Sequence, residues 1–122
     1  TAEKKAAGIT SFDIISVTNK FAQENPDLLR TFIEVTHETN AAFAKDQSKI
    51  GVIAKDAEMT VDKTKSQMSG FVFPTVEEQM TDYFGKDGLA RTMTAFMGNM
   101  FATTDNPALK DYNATIDTSF LK

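Results

Sequence analysis

Apolar positions change their spacing along this chain, and each change marks an element. Gly8 is followed by Ile9-Thr10-Ser11-Phe12-Asp13-Ile14-Ile15-Ser16-Val17-Thr18, rich in β-branched residues and almost continuously apolar from Ile14 to Val17. That pattern predicts a strand over 8–18, buried on both faces. Asn25-Pro26 then marks a helix start, with Asn as N-cap and Pro at the first helical position. Leu29, Phe32, Ile33, Thr36 and Phe43 follow at helical spacing, so that helix runs to about Lys45 with one apolar face.

Shorter helices follow. Ile50, Val52 and Ile53 place one over Ser48 to Ala57, weakened by Gly51, since glycine costs about 1 kcal/mol against alanine in a helix interior. Thr60 reads as the cap of another, which stops at Gly70 through the left-handed conformation that helix ends favour. Phe73 must be extended, because Pro74 disfavours α geometry in the residue before it. Thr75-Val76-Glu77-Glu78 has the spacing of a capping box and opens a helix expected to end at Gly85. Leu89, Met93, Phe96, Met97 and Met100 recur at three- and four-residue steps and predict a last helix from about Asp87 to Ala102. Asn106-Pro107 breaks that pattern, leaving a turn and a short tail from Lys110 to Lys122. One strand and about five helices result, and a lone strand needs partners that the segment hardly supplies.

Composition narrows the function classes. With 13 Lys plus Arg against 17 Asp plus Glu in 122 residues, the net charge is −4. That balance argues against nucleic acid, whose phosphates call for a basic face. Arg30 and Arg91 are the only arginines, so bidentate phosphate clamps are scarce. The absence of cysteine removes disulfides, thiolate nucleophiles and cysteine-ligated metal sites together. No apolar run approaches the roughly 20 residues of a membrane span. Thr1 to Lys5 has no hydrophobic signal core, so any signal peptide is expected upstream.

Candidate chemistry is sparse. His37 is the single histidine; it reads as a boundary residue of the first long helix and cannot build a multi-histidine metal site. Met93, Met97 and Met100 share the stripe of Leu89 and Phe96, which makes them packing residues. Glu77-Glu78 already has a capping role, and Asp111 with Asp117 lies in the tail with no partner motif. Neither metal nor cofactor is expected, and no catalytic residue stands out. Asp13 differs. A carboxylate within an apolar strand either points to solvent by strand alternation or waits for a cationic ligand.

At this strand the chain resembles the periplasmic taurine-binding proteins of ABC importers, within the wider group that takes alkylsulfonates and nitrate. The resemblance runs through Gly8 to Val17, with Thr or Ser, an apolar residue and Asp opening the strand, and through Phe21-Ala22-Gln23-Glu24-Asn25-Pro26. It continues at Gly70-Phe71-Val72-Phe73-Pro74-Thr75 and Glu78-Gln79, returns at Thr94-Ala95-Phe96, and closes with Asp111-Tyr112 and Phe120. It covers nearly the whole chain in register, with gaps around Ala44 to Asp56.

The resemblance implies an α/β fold, the C-terminal, mostly helical part of a type II periplasmic binding protein. Residues 8–18 would be a crossing strand and 25–122 helices packed on the first lobe, with no complete second domain present. It further implies no enzyme activity, a membrane permease as partner, a periplasmic location, and Asp13 as the group that holds the amine of taurine. Where the family often has tryptophan before the glycine, this chain has Ala7 beside Lys4-Lys5. Either the pocket wall differs, or the first residues align otherwise. A binding protein for another small anion, an alkanesulfonate or nitrate, is the first alternative; the related pyrimidine-synthesis enzymes of thiamine metabolism are the second, but they depend on a histidine and a cysteine-rich stretch, and this chain has no cysteine and only His37. Taken alone, the chain is expected to self-associate through uncovered apolar faces.

Overall fold

The computed structural model describes residues 11–121, which are helical or irregular. They divide into two compact units, Thr1–Phe73 and Pro74–Lys122. The described residues are mostly helical, as expected, but no strand forms among them, which corrects the crossing strand of the α/β expectation as far as residues 11–18. Residues 11–18 pair with no neighbour, and Ile14, Ile15 and Val17 stand exposed rather than buried on both faces. Propensity for the pleated conformation is not enough; a strand forms only where another supplies the ladder of hydrogen bonds. Positions 8–10 of that expected strand, and Ala7, lie outside the described residues.

In the first unit, Thr18 opens a helix that the apolar pattern did not reveal, α1 (Asn19–Glu24), and its hydroxyl accepts from the Phe21 amide at 3.1 Å. Asn25 stands at the N-cap of the next helix, its carbonyl accepting from the Leu29 amide at 3.0 Å, but its side chain serves the end of α1. Its backbone N–H donates to the Phe21 carbonyl at 2.9 Å and its side-chain Nδ2 to the same oxygen at 3.3 Å. Helix α2 (Pro26–Lys45) therefore begins without a side-chain cap, relying on Pro26, which has no amide hydrogen to satisfy. Over 20 residues it extends about 30 Å. Leu29 is buried on its inner side, and the edge of the Phe43 ring meets Phe73 at 5.7 Å, with the planes 76° apart. Such aromatic pairs contribute about 1 kcal/mol beyond area burial. The apolar arc is wider than this inner stripe, and Leu28, Phe32 and Val35 on its outer half are exposed.

Helices α3 (Ile50–Asp56) and α4 (Val61–Met68) pack as a hairpin around Ile50, Ala54 and Thr64, all buried. Thr64 is tolerated there because its hydroxyl donates to the Thr60 carbonyl at 3.0 Å. Thr60 caps α4 as its position suggested, accepting from the Lys63 amide at 3.3 Å. Between the helices, Glu58 takes φ 53°. Its N–H donates to Lys55 O at 3.2 Å and that of Met59 to Ala54 O at 2.8 Å, the two bonds of a Schellman ending. A glutamate thus occupies the left-handed position that glycine usually takes. Gly70, expected to take that conformation after α4, does not adopt a left-handed φ. Its N–H turns back to Gln67 O at 3.1 Å, so the chain leaves α4 through a tight right-handed turn.

The second unit opens on the capping box. Thr75 N–H donates to Glu78 Oε2 at 2.8 Å, and Glu78 N–H returns to Thr75 Oγ1 at 3.2 Å, starting α5 (Val76–Glu78). The α-helix expected to reach Gly85 instead widens into a π-helix over Gln79–Tyr83, closed by Phe84 N–H to Gln79 O at 2.8 Å. Gly88 is buried against the Tyr83 carbonyl, where any Cβ would collide. From it springs α6 (Leu89–Met100), two residues shorter at each end than its periodicity suggested. A single 3₁₀ turn, Asn113–Thr115, interrupts the irregular tail.

Candidate functional site

Asp13, the one predicted ligand residue, stands exposed in the unpaired stretch before α1. Among the described residues it has no ion-pair partner. Of the other singled-out residues, His37 is half-buried on α2, in keeping with a boundary position. Met93 is half-buried, but Met97 and Met100 are exposed, so only the first of these packs as expected. No group of three His, Cys, Asp or Glu able to hold a metal occurs among the described residues.

The tail carboxylates serve turns rather than a cleft. Asp111 Oδ1 accepts from the Asn113 amide and Asp117 Oδ1 from the Ser119 amide, each at 2.8 Å. Asp46 does the same between α2 and α3, accepting from Ser48 N–H at 2.9 Å and from its hydroxyl at 3.0 Å. The bonds to Asp46 and Asp117 favour the ionised form. The Ser48 amide, aided by its hydroxyl, holds Asp46 below its ordinary range, and the Ser119 hydroxyl with its amide does so for Asp117.

The most connected polar arrangement centres on Arg91, half-buried in the first turn of α6. Its Nε donates to the Phe84 carbonyl at 2.6 Å, where the π-helix ends, and its Nη1 to Asn113 Oδ1 at 3.0 Å, in the tail. Tyr112 completes the assembly, with its hydroxyl accepting from the Leu109 amide at 3.0 Å and its ring against Gly98. The partners of Arg91 are neutral, so this is a clamp that ties three segments together. Sequence spacing gave no signal for it, because Arg91 and Asn113 lie 22 positions apart.

No protein-family model matches the chain, and neither curated proteins nor solved structures yield a significant match.

Proposed function

We propose that this chain belongs to the solute-binding component of an ABC importer that captures a small sulfonate, taurine, and presents it to a membrane permease. The reading rests on the resemblance of the ordered series of motifs from Gly8 to Phe120 to the taurine-binding family. The setting of Asp13 supports it: a carboxylate without a cationic partner among the described residues, followed by exposed Ile14 and Ile15. Once a sheet and a ligand cover that stretch, the charge would be compensated by the ligand's ammonium group. No bond is made or broken. Ligand contacts drive two lobes to close, and the closed form docks on the permease outside the cytoplasm.

Calorimetric titration of the intact binding protein with taurine, ethanesulfonate and nitrate tests this. Taurine is expected to bind most tightly. Asp13→Ala should weaken taurine by about tenfold or more, the worth of one hydrogen bond to a charged group, and ethanesulfonate little. Equal losses for the two sulfonates would remove Asp13 from the site. Ala7, where the family often carries tryptophan, favours a second reading in which another small anion, an alkanesulfonate or nitrate, is the ligand.

A further inference from the structure

The chain contains one Asn-x-Ser/Thr triplet, Asn113-Ala114-Thr115, and the fold places it on an exposed single-turn 3₁₀ helix in the tail. We infer that Asn113 is an acceptor for an N-linked glycan. The inference rests on the proposed function only in requiring export from the cytoplasm.

The geometry suits the chemistry. Arg91 carries donors only, so the Asn113 atom that it holds at 3.0 Å must be the carboxamide oxygen. Nδ2, the atom that would be modified, is therefore the one that Arg91 does not use, and a glycan there leaves the clamp intact. Presentation to a transferase requires the turn to open. Opening it releases Thr115 N–H and its hydroxyl from Tyr112 O, at 3.1 and 2.7 Å, Ile116 N–H from Asn113 O at 3.1 Å, and Asn113 N–H from Asp111 Oδ1 at 2.8 Å, while Tyr112 and the Arg91 bond to Asn113 Oδ1 can stay in place. Exposed single turns of this kind open at small free-energy cost.

In the transfer, Asn113 Nδ2 attacks the anomeric carbon of an oligosaccharide carried on a polyprenyl diphosphate. The N–C bond forms as the C–O bond to the diphosphate breaks. The polyprenyl diphosphate leaves with the electron pair, the amide nitrogen loses one proton to a base of the transferase, and nothing is oxidised or reduced.

The test is glycosylation of the folded protein by a bacterial oligosaccharyltransferase with its lipid-linked donor, read by intact mass and peptide mapping, with a standard acceptor peptide in the same reaction. The wild type and Thr115→Ser should gain one glycan on the peptide containing Asn113. Asn113→Gln and Thr115→Val, each checked by circular dichroism, should gain none. A wild type left unmodified while the standard peptide is glycosylated overturns the inference and leaves Asn113 as a partner of Arg91 alone. So does modification that survives Asn113→Gln or Thr115→Val. Because the readout is mass, neither result depends on whether taurine binds.

Discussion

The ring of Tyr112 lies against the backbone of Gly98, so close that a Cβ on Gly98 would fall upon Cε1, Cζ and Oη of the ring. Glycine in the last turn of α6 is thus the condition for the tail to dock there. Tyr112 cannot easily move aside, because its hydroxyl accepts from the Leu109 amide and the neighbouring Asn113 is held by Arg91.

Two helical glycines should therefore respond to alanine with opposite signs. Gly51, the second residue of α3, has nothing within 4 Å of an added Cβ, so Gly51→Ala should stabilise its unit by up to about 1 kcal/mol. Gly98→Ala should instead destabilise by about 1–3 kcal/mol through overpacking, despite the better helix propensity of alanine. Urea unfolding of the two variants checks both signs. A stabilised Gly98→Ala protein would show that the tail does not dock on α6.

Glu58 occupies a left-handed position at φ 53° between α3 and α4. That conformation costs a side-chain-bearing residue about 1–2 kcal/mol, which glycine avoids. Glu58→Gly should raise the thermal midpoint, while Glu58→Val should lower it. The Schellman bonds themselves are backbone bonds and stay unchanged.

Asp46 and Asp117 predict a weak acid dependence. Both carboxyls are held below their ordinary value of 3.8 in the folded chain. The unfolded chain then takes up protons first as pH falls, so the stabilisation is complete above that value and is lost on going down through the folded values. Both groups are exposed, so solvent screening keeps the effect small. Thermal midpoints followed from about pH 5 to pH 2 should fall less steeply in Asp46→Asn than in the wild type. An identical slope would show that the Ser48 bonds do not persist in solution.

Local signals read directly from the sequence proved sufficient for much of the helical framework. Pro26 at a first helical position, the cap at Thr60, and the reciprocal pair Thr75 and Glu78 each act within one turn, and each stands where its spacing placed it. Such features depend on neighbours three or four positions away, which the chain carries with it. Asn25 shows where this reading stops: α1 competes for its side chain, and the end of one helix wins over the start of the next. The π-helix over Gln79–Tyr83 and the left-handed Glu58 likewise carry no composition that marks them.

Everything that needs distant residues was decided by tertiary structure. Ile14, Ile15 and Val17 have the composition of a strand, but a strand is a property of two segments, and none pairs with them among the described residues. Asp13 shares that dependence, because a carboxylate becomes a binding group through what surrounds it. The Arg91 clamp and the seat of Tyr112 on Gly98 join positions far apart along the chain, and only folding brings their atoms within bonding distance.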